Sequence, residues 1–185
     1  QSEDVPHSIY EIPGASKCAV EFRSYSKTAG FTGLRCGYTI VPKTIESEGL
    51  SLNKMWLRRQ TTKFNGVPYI VQRAAEAVFS EDGIKETRAM VAHYKQNAQI
   101  IAKTMEETGT RYFGGINSPY IWFECPYNMD SWSFFDFMLD KIAVVGTPGA
   151  GFGKNGNNFF RLTAFNSREN TVEAMERFKS LTKKK

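Results

Sequence analysis

Lys27 stands in the run Ser24-Tyr25-Ser26-Lys27-Thr28-Ala29-Gly30-Phe31-Thr32-Gly33-Leu34-Arg35-Cys36-Gly37, among hydroxyl side chains and ahead of two glycines, with Arg35 eight positions on. An amine can hold the aldehyde of a ligand as a Schiff base, and a phosphate on that ligand needs hydroxyls and a guanidinium close by. Glycine lets the backbone approach the phosphate, and arginine grips it through paired N–H bonds. A lone lysine reads as a solvated side chain. It is the spacing of the whole run that marks Lys27 for chemistry.

A second cation, Arg161, lies inside the apolar run Phe159-Phe160-Arg161-Leu162-Thr163-Ala164-Phe165. A charge there is costly unless it finds a partner, either a structural carboxylate or an anionic ligand. Residues 149–153 (Gly-Ala-Gly-Phe-Gly) invite a dinucleotide-loop reading, but that fingerprint needs a helix opening on the glycines. Lys154-Asn155-Gly156-Asn157-Asn158 follows instead, which reads as more turn. His7 and His93 are isolated, and no metal site is expected.

The elements that must position these residues are legible as periods. Residues 18–23 and 37–41 read as strands with the lysine loop between them, and residues 1–16 as loop with a short helical turn. Residues 43–63 are ambiguous, with a short amphipathic helix possible around Leu52 and Leu57. Pro68 suits a helix start, after which Ile70, Val71, Ala74, Ala75, Val78 and Phe79 share a face. A longer helix spans about 82–108, its Val91, Tyr94, Ala98, Ile101 and Met105 forming a core stripe, with Gly109 placed to end it. The remainder reads as a small α/β unit. It has strands at 120–124, 142–145 and 159–165, a helix capped by Asp130 bearing Trp132, Phe135, Met138 and Leu139, and a last helix opened by Asn166 with Glu169.

The chain has 185 residues, 41% hydrophobic and 14% aromatic, which specifies a folded protein. Its net charge of +5 comes partly from a terminal lysine run read as a solvated tail. No basic stripe interleaves with aromatics, so nucleic-acid binding is not expected. Cys18, Cys36 and Cys125 are widely spaced and fit reduced thiols in a cytoplasmic protein. There is no long apolar run and no basic-then-apolar start, so neither membrane nor secretion is expected.

The lysine run resembles the pyridoxal-phosphate attachment site of class I/II aminotransferases, from which only Cys36 departs, where the family carries an aliphatic residue. Arg161 follows a Pro-Gly-x-x-Phe-Gly loop (Pro148 to Gly153) by eight residues, as the carboxylate-binding arginine of that family does. Residues 8–15 (Ser-Ile-Tyr-Glu-Ile-Pro-Gly-Ala), Phe64-Asn65-Gly66 and 114–122 (Gly-Gly-Ile-Asn-Ser-Pro-Tyr-Ile-Trp) narrow the resemblance to the LL-diaminopimelate aminotransferases, a group within it. The resemblance covers nearly the whole chain.

It implies an α/β architecture: residues 1–65 as the end of a fold-type-I large domain, 66–109 as a helical bridge, and 110–185 as a small C-terminal domain. It implies pyridoxal 5'-phosphate held by Ser24, Ser26, Lys27 and Arg35, with Lys27 catalytic as the Schiff-base lysine and proton shuttle. Arg161 would bind the substrate carboxylate. Asn65 would reach cofactor and substrate across a homodimer interface, although the residue pattern alone suggests a helix cap there. The implied reaction passes the amine of LL-2,6-diaminopimelate to 2-oxoglutarate, in lysine biosynthesis. Family members are roughly twice this length and keep the group that pairs with the pyridine nitrogen upstream of this stretch. The chain is therefore expected to be a C-terminal fragment, inactive in isolation. Two alternatives stay open: a class I aminotransferase with another amino donor, and a pyridoxal-phosphate sensor domain of a transcriptional regulator.

Overall fold

The structure, a computed structural model, describes residues 2 and 4–182, so the terminal lysines lie outside the described residues. The chain divides into a unit ending at Met90 and a unit beginning at Val91. Among the described residues no helix is long and apolar enough to cross a membrane.

The first unit opens on two single turns, Ile9–Glu11 and Ala15–Lys17. Ser8 caps the first: its hydroxyl accepts from the Tyr10 N–H while Glu11 accepts from the Ser8 N–H. Strands β1 (Glu21–Ser24) and β2 (Gly37–Ile40) then pair antiparallel, with Ser24 opposite Gly37. A Cβ on Gly37 would stand 2.7 Å from the Arg23 carbonyl oxygen, so the close pairing that shuts the lysine loop needs glycine. The segment between the strands is not wholly loop, as the sequence suggests. Its first turn is helix α1 (Tyr25–Thr28), capped by the Ser24 hydroxyl, which accepts from the Ser26 N–H at 3.1 Å. Thr28 Oγ1 donates to the Ser24 carbonyl at 3.0 Å. Hydroxyls so dense satisfy the ends of one turn.

The ambiguous stretch resolves into a small hairpin, β3 (Glu46–Ser47) with β4 (Leu50–Ser51), and helix α2 (Leu52–Lys63). The hairpin turns on Glu48 and Gly49, both left-handed (φ 52° and 75°), which suits the twist of paired strands. Helix α3 (Tyr69–Ala77) buries Val71 and Ala75 against Phe31 and Cys36, with Ala74 and Val78 at the margin. Its expected face is too wide. Ile70 stays 77% exposed, one step of about 100° from Val71, and Phe79, 61% exposed, falls beyond the helix end. Helix α4 (Glu81–Glu107) closes on Gly109 (φ 65°), with the Gly109 and Thr110 N–H groups returning to the Glu106 and Met105 carbonyls.

In the second unit, β5 (Tyr112–Gly114), β6 (Tyr120–Glu124), helix α5 (Ser131–Ile142), β7 (Thr147–Pro148), β8 (Phe159–Thr163) and helix α6 (Arg168–Thr182) follow. The antiparallel sheet runs β5-β6-β8-β7. Alternation along β6 and β8 buries Ile121, Phe123, Phe160 and Leu162 on one face and puts Trp122 and Arg161 on the other. The buried face packs on Ile101 and Met105 of α4, Phe134 and Met138 of α5 and Phe178 of α6.

Three expectations are corrected in this unit. The buried face of α5 is Ser131, Phe134, Met138 and Ile142, whereas Trp132 and Leu139 are 58% and 43% exposed. Both stripes are apolar, and packing on the sheet selects the one in phase with it. The strand read at 142–145 begins only at Thr147, because Ile142 completes α5 and Ala143 takes the left-handed cap (φ 52°). Helix α6 is capped by Ser167, whose hydroxyl accepts from the Asn170 N–H at 3.2 Å, one residue later than Asn166.

The cap of α5 falls where expected. Asp130 accepts from the Trp132 and Ser133 N–H groups at 3.0 and 3.1 Å and from the Ser133 hydroxyl at 2.7 Å. These bonds, led by the Ser133 hydroxyl, hold its carboxyl below the ordinary carboxylate value. A depressed folded-state pKa gives stability that is present above the unfolded value and lost as pH falls through the folded one. Asp130→Ala is therefore expected to lower the melting temperature at neutral pH, with the gap to the parent closing as pH falls below the ordinary value of 3.8. Thermal melts at pH 7 and in acid check this; a gap that persists undiminished in acid contradicts it.

Candidate active site

Thr32 ties together the two cations of the lysine loop. Lys27 Nζ donates to Thr32 Oγ1 at 3.2 Å, Thr32 Oγ1 donates to the Ser26 carbonyl at 2.9 Å, and Arg35 Nη1 donates to the Thr32 carbonyl at 2.7 Å. The residue reading names Lys27, Ser24, Ser26 and Arg35 but not Thr32. Its signal was present, a hydroxyl five positions after the lysine and between Gly30 and Gly33.

The loop is held from beneath and at its neck. Phe31 and Cys36, each 8% exposed, peg it into the small core against α3, and the Tyr25 N–H donates to the Cys36 carbonyl at 3.1 Å. Cys36 thus serves as a small apolar side chain, the use expected of it. Arg35 adopts φ 56°, a left-handed conformation that costs a non-glycine residue energy, and its N–H is tied to the Phe31 carbonyl at 3.1 Å. Lys27, Arg35, Ser24 and Thr32 are exposed around this neck, with Ser26 half-buried. An amine, a guanidinium and three hydroxyls on one short loop form a donor set for a phosphate-bearing aldehyde.

Asn65 does not cap the helix that follows it. The N-cap of α3 is Pro68, without a side-chain bond. Asn65 instead ends α2 in a left-handed conformation (φ 66°), a region asparagine tolerates, with its N–H returning to the Gln60 carbonyl at 2.9 Å. Its side chain is exposed and lines a groove of about 710 Å³ with Tyr25, Tyr38, Phe64 and Gln72, a lining that does not include Lys27. Burial, with Tyr38 and Cys36 adding to it, raises the Tyr25 phenol above its ordinary pKa.

Arg161 belongs to the second unit. In β8 it stands opposite Trp122 on one side and Thr147 on the other. Its Cζ lies 4.6 Å from the centroid of the Tyr120 ring and 4.7 Å from that of Phe152, and Nη2 reaches Thr147 Oγ1 at 3.5 Å. Nε is buried with no hydrogen-bond partner. No carboxylate among the described residues forms an ion pair with it. Of the two explanations the sequence left, a structural ion pair is not found among the described residues.

The glycines of residues 149–156 serve packing. A Cβ on Gly149 would lie 2.2 Å from the Gly156 carbonyl oxygen and 2.9 Å from the Trp122 ring. The loop is made of two 3-10 turns, Gly149–Phe152 and Lys154–Gly156, with no helix opening on the glycines, in agreement with rejecting a dinucleotide loop. The Ser131 hydroxyl, in a fully buried residue, accepts from the Ala150 N–H at 3.1 Å and anchors this loop.

Comparison with known proteins accounts for nearly the whole chain. The profile of the family described as aminotransferase class I and II matches residues 6–178. LL-diaminopimelate aminotransferase of Azobacteroides pseudotrichonymphae is 58% identical over 184 residues, which cover 97% of this chain and 46% of that protein. The solved structure of L,L-diaminopimelate aminotransferase from Chlamydomonas reinhardtii superposes with a TM-score of 0.91 at 45% identity, over 98% of this chain and 45% of that one. An aromatic aminotransferase from Pyrococcus horikoshii, at TM-score 0.81 and 24% identity over 97% of this chain and 47% of that one, speaks for the fold alone. The chain spans about half the length of the relatives it matches. Because one family profile runs from the first turn into the last helix, the chain belongs to the class I and II aminotransferases.

Proposed function

We propose that this chain is part of an LL-diaminopimelate aminotransferase, which transfers an amino group between LL-2,6-diaminopimelate and 2-oxoglutarate. Aminotransferases of this family depend on pyridoxal 5'-phosphate. The observation that carries the reading is the Thr32-centred cluster of Lys27 amine and Arg35 guanidinium. Strong likeness to two proteins bearing that enzyme's name supports the choice of substrate.

The residues fit the cofactor. Lys27 would hold its aldehyde, while Ser24, Ser26 and Arg35, with Thr32 beside them, would hold its phosphate. When bound, the cofactor supplies an electron sink for the charge left on the substrate Cα after deprotonation. Lys27 Nζ is then the base that takes the Cα proton and returns it as an acid. Arg161 orients the reactants through their α-carboxylates, presenting its planar fork to both in turn. Asn65 contributes from a homodimer partner to cofactor and substrate contacts. The protein works in the cytoplasm, an environment that suits its three free cysteines.

The test is chemical labelling. Borohydride reduction of the complete protein loaded with pyridoxal phosphate, followed by peptide mapping, is expected to place the label on Lys27. Label on Lys43 or Lys63 instead overturns the assignment.

A further inference from the structure

Half-buried Arg161 is held by rings where an arginine in an apolar strand ordinarily has a carboxylate. Its guanidinium lies over the faces of Tyr120 and Phe152, its Nε–H has no partner, and a single hydroxyl, Thr147 Oγ1, reaches it at 3.5 Å. A ring face attracts the cation through its quadrupole but accepts no proton and carries no neutralising charge. A carboxylate partner would do the opposite, since it would occupy the fork and compete with any ligand.

The rings differ in what else they do. Tyr120 is half-buried and braced edge-on against Phe165 at 5.5 Å. Phe152 is 55% exposed and lies outside the buried core. It ends the 3-10 turn Gly149–Phe152, between Gly151 and Gly153, with its ring edge-on to Trp122 at 5.5 Å. Close packing of Gly149 on Gly156 and Trp122 folds the turn back over the sheet and sets this ring above the cation.

We propose that Phe152 and Tyr120 are positioning residues for carboxylate binding, orienting the Arg161 guanidinium and shielding it from water while leaving its charge unneutralised. The proposal rests on reading Arg161 as the carboxylate ligand. Shielding strengthens the later ion pair because charges attract more strongly where water is excluded. Orientation removes part of the ordering cost of binding.

The test uses glutarate, a dicarboxylate without a reactive amine or ketone, titrated calorimetrically into the complete cofactor-loaded protein. Phe152→Ala is expected to weaken glutarate roughly three- to thirtyfold. It should raise KM for both reactants by a similar factor with little change in kcat, and leave the melting temperature at the parent value. Phe152→Tyr, which keeps a ring, is expected to stay within about twofold of the parent. Parent-like glutarate affinity in Phe152→Ala, with binding lost in Arg161→Lys, overturns the positioning role alone. Equal weakening in Phe152→Tyr and Phe152→Ala does so too, since the ring face would then be irrelevant. Parent-like glutarate binding in Arg161→Lys overturns the carboxylate reading beneath it.

Discussion

Lysine in place of Arg161 is expected to lower kcat/KM by roughly 10- to 150-fold for the amino donor and for the 2-oxo acceptor alike. The estimate is the loss of about one charge-assisted hydrogen bond, worth roughly 1.5–3 kcal/mol. Lysine keeps the positive charge but not the planar fork, to which both reactants of the proposed reaction would present an α-carboxylate. The melting temperature should stay near that of the parent, because no ion pair among the described residues is broken. Steady-state kinetics on both reactants with a thermal melt decide the matter. A large fall in melting temperature with full activity per folded molecule would return Arg161 to a structural role.

Alanine in place of Lys27 is expected to have the largest effect on kcat, a fall of about 10²- to 10⁴-fold, the range for losing a positioned proton-transfer group. The loop itself should survive, since Phe31 and Cys36 peg it and the Tyr25 N–H still meets the Cys36 carbonyl. A small external amine such as methylamine is expected to restore part of the rate by supplying the missing base. Single-turnover measurements with and without added amine check this. A kcat within severalfold of the parent would remove Lys27 from the chemistry.

Both predictions concern residues that the amino-acid sequence alone singles out. The Lys27–Arg35 cluster is legible because its partners are local: the hydroxyls, glycines and guanidinium of the candidate site lie within one short run of sequence. Even so, Thr32 was missed, because a hydroxyl in a glycine loop looks the same whether it bridges two cations or faces water. Arg161 was legible as an anomaly, a charge in an apolar strand. The rings that hold it come from β6 and from a turn, and strand pairing and loop packing bring them near. Asn65 shows the converse. Its neighbour Pro68 suggested a cap for the next helix, but the backbone bond to Gln60 makes it the end of the previous one.

By itself, the sequence determined the features whose cause is local. Among them are the strands flanking the lysine loop, the Asp130 cap, the length and glycine stop of α4, and the lysine, hydroxyls and arginine gathered on one loop. These follow from side-chain period, capping chemistry and backbone freedom over a few residues. Tertiary structure decided which of two apolar stripes on α5 is buried, how narrow the buried edge of α3 is, and where the strand after Ala143 begins. It also decided that Arg161 meets aromatic rings and no described carboxylate. Each of these depends on a surface supplied by a distant part of the chain. A helix with two apolar faces, or a cation with several conceivable partners, has no preference of its own until that surface arrives.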